Sequence, residues 1–189
     1  MKRGTLLIVN GPPAAGKTTL AAKLGAALGW PVFAKDAIKE SLFDTLGARD
    51  RAWSRTVGHA AIIVLFDLLA WEAAAGRSVV AEANFHADDD APRFAALETR
   101  YGCALREVHV TADPEVILRR FFARWERGER HPGHGQETEQ DTELRERLYI
   151  SRIHRPIVAP PHLLEVDTTD FAALDDAAII AAARRLVGM

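Results

Sequence analysis

Cysteine is nearly missing from this chain of 189 residues: Cys103 stands alone, beside only two methionines and two tyrosines. One cysteine excludes an intrachain disulfide and speaks against a cysteine-built zinc centre. Charge of one sign is not in excess either, since 24 Lys and Arg face 26 Asp and Glu for a formal net charge of −2. Such a balance gives no global field to hold a polyanion, so a dedicated nucleic-acid binder is disfavoured and only a local basic patch stays open. No long apolar run opens the chain, because the stretch ending at Asn10 is shorter than a signal-peptide core or a membrane span. Internal repeats, low-complexity tracts and linkers are absent too. What remains is ordinary globular composition, 48% hydrophobic and 26% charged, which suffices to bury roughly 70% of the unfolded surface. One cytoplasmic domain over 1–189, away from membranes, is the expectation.

Hydrophobic runs and turn residues predict strands that alternate with helices. Thr5–Asn10 is a continuous apolar run closed by Gly11-Pro12-Pro13, as expected of a strand buried on both faces. Further strands are predicted at Pro31–Ala34, Arg77–Glu82, Ala104–Thr111 and His162–Asp167. Helices are predicted over Gly16–Leu28, from Asp36 to about Leu46, over Ser54–Ala75, and from about Phe171 to Leu186. Another starts at Asp113-Pro114, with Asp as N-cap and Pro at the first helical position. Strands separated by helices imply a mostly parallel sheet of five strands covered on both faces, a three-layer α/β architecture. The polar stretch from Gly128 to about Gln140 is too hydrophilic to pack, which makes it a lid or a loop. Trp53, Trp71 and Cys103 are read as packing residues.

The most specific signal is Gly11-Pro12-Pro13-Ala14-Ala15-Gly16-Lys17-Thr18, a full match to G-x-x-x-x-G-K-[ST] between a strand and a helix. At a helix start the first N–H groups lack partners and the peptide dipoles add partial positive charge, so phosphate binds there. Pro12 and Pro13 donate nothing, which leaves the N–H groups from about Ala14 through Thr19, next to small side chains at Ala14, Ala15 and Gly16. Lys17 reaches the β/γ-phosphates and the Thr18 hydroxyl ligates Mg²⁺. ATP and Mg²⁺ are therefore the expected cofactors.

Asp36 follows the second strand, at the carboxyl end where parallel sheets place their ligands. A carboxylate there accepts the proton of an attacking hydroxyl; its structural alternative is a cap for a helix beginning at Ala37. Arg120, Arg124 and Arg127 are spaced four and three apart, on one helical face, with Arg130 just beyond. Their guanidiniums suit a phosphoryl group in transit, whereas the plain alternative is a solvated face paired with Glu126 and Glu129. Arg145, Arg147, Arg152 and Arg155 extend the basic series. His131 and His134 lack a third ligand type for zinc and fit a lid turn better. Arg55 and His59, four apart on the long helix, are candidates for an acceptor pocket or for plain surface.

These segments resemble the small P-loop kinases that include chloramphenicol phosphotransferase, zeta toxins and the polynucleotide kinase domain. The likeness is carried by the loop, by Lys35-Asp36-x-Ile38-Lys39-Glu40, by Arg127-Gly128-Glu129-Arg130 in a lid at about 124–140, and by Glu165-Val166-Asp167-Thr168-Thr169. The last two are similar to stretches of chloramphenicol phosphotransferase. The resemblance implies a P-loop kinase fold with an Arg-rich lid, Asp36 as base, Arg127 and Arg130 on the transferring phosphoryl group, and Arg124 and Thr168 on the nucleotide. It departs at Val79-Val80-Ala81-Glu82-Ala83-Asn84, where such kinases often carry Asp; Glu82 is the candidate for the Mg²⁺ shell, and Asn84 for orienting a water or the substrate. The expected reaction moves the γ-phosphate of Mg-ATP to a hydroxyl of a small molecule, an antibiotic or related natural product among the acceptors implied. A polynucleotide 5′-hydroxyl kinase and an ATP-hydrolysing switch or toxin-like module are the alternatives.

Overall fold

The structure is a computed structural model that describes residues 3–134 and 155–189. Five strands, β1 Thr5–Asn10, β2 Val32–Ala34, β3 Val79–Glu82, β4 Ala104–Thr111 and β5 Leu163–Asp167, form one sheet in the order β2-β3-β1-β4-β5. Every pairing in it is parallel. Among the described residues six helices accompany them: α1 Lys17–Leu28, α2 Lys35–Leu46, α3 Arg51–Ala74, α4 Ala87–Tyr101, α5 Pro114–Glu126 and α6 Asp176–Leu186.

Alternation along β1 explains why its sequence is apolar throughout. Leu6 and Ile8 enter a core with Leu65 and Leu69 of α3 and Phe94 of α4. Leu7 and Val9 enter a second core with Leu20 and Leu24 of α1 and Ala183 of α6. Successive strand residues point to opposite faces, so a strand covered on both sides shows no polar alternation. α3 is long and apolar enough to cross a membrane by length and composition, yet it lays Leu65, Leu69 and Ala73 into the first core. Trp71 on the same helix is 66% exposed, which corrects the packing role expected for it; Cys103 is buried as expected.

α3 starts at Arg51, three residues before the expected Ser54, because Asp50 caps it by accepting the Trp53 N–H; α4 and the last helix differ more. The sequence reading assigns no element between Glu82 and Ala104, where the fold has α4. In the fold Asp88, Asp89 and Asp90 occupy its first turn, where carboxylates meet the positive end of the helix dipole, and Asp90 accepts the His86 N–H. The last helix starts five residues later than Phe171: a 3-10 turn at Phe171–Ala173, capped by Asp170, precedes α6, which Asp175 caps separately.

Parallel pairing puts the carboxyl ends of β1, β2 and β3 on one edge. Glu82, at the end of β3, is in register with Val9 of β1 on one side and Ala34 of β2 on the other. The loop after β1 and the start of α2 therefore flank Glu82.

Candidate active site

At the end of β1 the buried Asn10 fixes the loop's first turn. Its Oδ1 accepts the Gly11 N–H at 2.8 Å and the Phe85 N–H at 2.9 Å, and its Nδ2 donates to Glu107 Oε1 at 3.2 Å. Gly11 has φ +137, and a Cβ there would lie 2.0 Å from the Val110 carbonyl oxygen. Only glycine fits both demands. Gly16 caps α1 with φ +88 and no side-chain capping bond. A helix start without a capping side chain is suited to an anion. Ala14, Gly16, Thr18 and Thr19 line the cleft in front of it, whereas Ala15 is fully buried and its N–H points to the Pro12 carbonyl at 3.4 Å.

Lys17 is 6% exposed and donates from Nζ to the Pro12 carbonyl at 2.7 Å. Burial lowers its pKa to about 8, against the pull of Glu82 and Asp36; Lys35 and Arg124 add to the lowering. Beside it Thr18 Oγ1 donates to Glu82 Oε2 at 3.2 Å. Glu82 is 5% exposed, and desolvation raises its carboxyl although Lys17 and the Thr18 hydroxyl oppose this. A hydroxyl and a buried carboxylate in contact behind a phosphate loop make an oxygen donor set suited to Mg²⁺. Among the described residues no cluster of three or more His, Cys, Asp or Glu offers another metal centre.

Asp36 lies in the first turn of α2, whose N-cap is Ala34. This overturns the capping alternative and leaves the carboxylate on the cleft wall. The side chain keeps 59% of its exposure in the open cleft and pairs with Lys35 Nζ at 3.1 Å. The cleft walls partly desolvate it, but Lys35, His134 and Lys17 outweigh that and hold its pKa at about 2. It is ionised at any physiological pH.

The arginines come from α5 and the turn that follows. Arg120 donates from Nη2 to the Thr168 and Thr169 carbonyls at 2.8 and 3.0 Å, and its guanidinium lies 3.5 Å from the Phe171 ring centroid. Its Nη1 is buried with no hydrogen-bond partner among the described residues, an orphan that a bound acceptor atom satisfies. Arg124, Arg127 and Arg130 line the same cleft. Arg127 forms a bidentate pair with Glu129 at 2.6 and 3.0 Å, and Arg130 stacks over Phe121 at 4.4 Å. The turn then docks on α2. His131 stacks on Phe43 at 5.6 Å and meets Asp44 at 3.1 Å, while His134 sits 3.0 Å from Glu40.

A family model described as an AAA domain, AAA_33, matches residues 6–147. The chain belongs to this family. A putative kinase from Chloroflexus aurantiacus shares 36% identity over 97% of this chain and 98% of its own, with a TM-score of 0.85. A gluconokinase from Sinorhizobium meliloti (18% identity, 98% and 92% coverage, TM-score 0.56) has the same fold. So does a shikimate kinase from Acinetobacter baumannii, at 15% identity, 97% and 92% coverage and a TM-score of 0.60. No curated protein matches the chain. The AAA_33 chain thus has the three-layer P-loop kinase fold, with the cleft just described at its carboxyl edge.

Within this AAA_33 site the structure brings Lys17, Thr18, Glu82, Asp36, Arg124, Arg127 and Arg130 to one cleft, together with Asn84 and Arg55. Gly11, Ala15 and Thr168 do not line it. Thr168 is 2% exposed, and its hydroxyl lies 2.7 Å from the Ala15 carbonyl and 2.9 Å from that of Thr111, so it braces the loop from behind. His59 is exposed on α3 outside the cleft. Arg155 reaches Asp88 at 2.6 Å, whereas Arg145, Arg147, Arg152 and the lid from 135 to 140 lie outside the described residues. Sequence reasoning missed Phe171, Lys39 and Ser54 as lining residues. The separate capping aspartates Asp170 and Asp175 were the available signal that Phe171 stands in a turn of its own.

Proposed function

We propose that this P-loop kinase transfers the γ-phosphate of Mg-ATP to a hydroxyl of a small molecule. The supporting observation is that Asp36, the Thr18–Glu82 pair and Lys17 share one cleft of about 1660 Å³ with the arginines of α5. The uncapped start of α1 and Lys17 hold the phosphates, with Lys17 leaving the Pro12 carbonyl to do so. Thr18 and Glu82 are placed to hold Mg²⁺, which supplies charge neutralisation on the phosphate oxygens when bound.

Asp36 positions the acceptor. Its carboxylate takes the hydrogen bond of the acceptor hydroxyl and turns the oxygen lone pair toward the γ-phosphorus. As the new oxygen–phosphorus bond forms, the bond to the β-bridging oxygen breaks, ADP leaves, and the hydroxyl proton passes to Asp36. A carboxylate of pKa about 2 is a weak base, which suits a loose transition state that needs alignment more than early proton removal. Arg127 and Arg130 act on the transferring group once Arg127 exchanges Glu129 for phosphate oxygens. Residues 1–189 act as one domain with the lid at about 124–140, and Phe171 with Arg120 forms the wall for the nucleotide base.

The resemblance of Arg127–Arg130 and Glu165–Thr169 to chloramphenicol phosphotransferase supports natural products as one acceptor pool. The test is transfer of labelled γ-phosphate to small hydroxylated molecules or to oligonucleotides with free 5′-hydroxyls, with Asp36→Asn as control. Label in a small molecule that is lost in the variant is the expected result. Label on the oligonucleotide favours a polynucleotide kinase. Phosphate release alone, unchanged in the variant, identifies an ATP-hydrolysing module and overturns the proposal.

A further inference from the structure

A fully buried carboxylate lies behind the cleft without lining it. Glu107 of β4 is 0% exposed. Its Oε2 accepts the Ile157 N–H at 2.6 Å and the Val158 N–H at 3.0 Å. Its Oε1 accepts Asn10 Nδ2 at 3.2 Å and has His109 Nδ1 at 3.3 Å. Burying such a group costs free energy that a full set of donors offsets. The donors come from the end of β1, from β4 itself and from the stretch that precedes β5.

Two arms run from this bridge into the cleft. Asn10 Oδ1 holds the Phe85 N–H as well as that of Gly11, and Asp88 stands three residues beyond Phe85. Glu107 holds Ile157, and Arg155 stands two residues before it. Arg155 Nη2 donates to Asp88 Oδ1 at 2.6 Å, and both residues line the cleft. The bonds therefore close a ring, from Asn10 through Phe85 to Asp88, across to Arg155, and through Ile157 and Glu107 back to Asn10. Packing stiffens both arms. Phe85 is fully buried and meets the Phe94 ring at 5.0 Å and the Phe66 ring at 6.1 Å, while Ile157 and Val158 pack on the same core. The Asp88 and Arg155 side chains are exposed, so their pair adds little stability. What the ring fixes is where the pair stands.

We infer that Asn10 and Glu107 are positioning residues for phosphoryl transfer: they hold the Asp88–Arg155 pair in register with the phosphate loop, so that filling the loop firms the wall the acceptor meets. This rests on the kinase reading above and adds to it a route from the nucleotide to the rest of the cleft. Coupling between two places runs through contiguous groups whose equilibrium both of them bias. Opening of the chain at Ile157 frees Glu107, and a Glu107 that leaves Asn10 frees the amide that sets Gly11. A bound nucleotide opposes that sequence. By linkage, the closed 157–158 backbone strengthens nucleotide binding by the same factor.

The experiment uses Mg²⁺ with the non-hydrolysable ATP analogue AMP-PNP and needs no acceptor. In wild type, saturating AMP-PNP should slow hydrogen exchange at the Ile157 and Val158 amides about fivefold or more. The effect should exceed that at the Gly102 amide, which bonds the Glu98 carbonyl at the far end of α4. Glu107→Gln should raise the Kd for AMP-PNP about tenfold or more, because its amide turns an N–H toward Asn10 Nδ2. Asn10→Asp should do the same by setting two carboxylates against each other. The double variant Asn10→Asp/Glu107→Gln restores every bond with one direction reversed, its amide donating to its carboxylate. Its Kd should return to within about threefold of wild type. A Kd unchanged in Glu107→Gln, as a merely structural role requires, overturns the positioning role, and so does a double variant no better than the single ones. Exchange at Ile157 and Val158 that ignores bound AMP-PNP overturns it as well, and that readout needs no variant to fold. Failure of wild type to bind AMP-PNP at all overturns the kinase reading, and this inference with it.

Discussion

Gly133 offers the sharpest physical test of how the turn after α5 is held. A Cβ at this position would lie 2.2, 2.4 and 2.6 Å from three ring atoms of Phe43, well inside the 3.4 Å at which ordinary contact begins. The ring cannot retreat freely, being 2% exposed and stacked on His131. Gly133→Ala must therefore overpack the contact, at a cost of about 1–3 kcal/mol, or release the turn. Release forfeits the Phe43–His131 stack, about 0.5–1.5 kcal/mol, and the His134–Glu40 hydrogen bond, about 1 kcal/mol. The exposed Asp44 adds little. Either route weakens docking by roughly 2 kcal/mol, about thirtyfold in its equilibrium. Tryptic cleavage after Arg127 and Arg130 measures it, since both bonds adjoin the docked turn. Cleavage should accelerate at least tenfold, with urea unfolding of the two sheet cores nearly unchanged. Adding Gly133→Ala to Phe43→Ala, where the ring is gone, should change the rate less than twofold. Equal acceleration in both backgrounds would refute the clash and point to backbone entropy instead. The assay also has a pH arm. Burial lowers the His134 pKa, against the pull of Asp36 and Glu40 and with Lys39 and Arg130 assisting. The docked turn thus favours neutral His134, and its contribution is lost as pH falls through the lowered value.

Three further outcomes follow from the same geometry. Lys17 at about pKa 8 must take up a proton to hold phosphate, so ATP affinity should fall about tenfold per pH unit above 8; calorimetry in two buffers detects the uptake, and a flat profile from pH 7.5 to 9.5 would refute it. The same depressed pKa means that between about 8 and 10.5 the unfolded chain binds the extra proton, so this group makes stability rise with pH there. Glu82→Gln removes the charge opposite Thr18 and should weaken the apparent Mg²⁺ affinity at least tenfold in a transfer assay, whereas an unchanged Mg²⁺ requirement removes Glu82 from the metal site. Glu107→Gln should cost about 2–4 kcal/mol by urea unfolding. Both of its buried oxygens accept, Oε1 from Asn10 and Oε2 from the Ile157 and Val158 N–H groups, and an amide can serve only one side.

Local chemistry made much of this readable. β1 and β4 keep their expected bounds because an apolar run buried on both faces ends abruptly at turn residues. The Asp113 cap and Pro114 marked the start of α5 because both act within one turn; Asp113 Oδ1 accepts the Glu115 N–H at 2.8 Å. Asp36 was picked from its place after a strand, though only the fold shows that Ala34, not Asp36, caps the helix. Long-range partners carry no local mark. Asn10 and Glu107 are 97 residues apart, and Glu107 looked like an ordinary strand glutamate although it is fully buried. Lys39 and Ser54 meet only because α2 and α3 pack together. Pro92 hid α4, since a proline beside three aspartates signals a turn unless the helix has already begun.

The sheet separates two cores that share no residues, one under α3 and α4 and the other under α1 and α6. The nucleotide loop opens into α1, whereas the cleft wall around Asp36, the proposed acceptor side, is built by α2 and α3. Such a chain has two nearly independent evolutionary compartments. Substitutions that remodel α3 for a new acceptor repack one face and leave the ATP machinery's foundation untouched. A laboratory selection for altered acceptor preference should accordingly concentrate its changes on that one face.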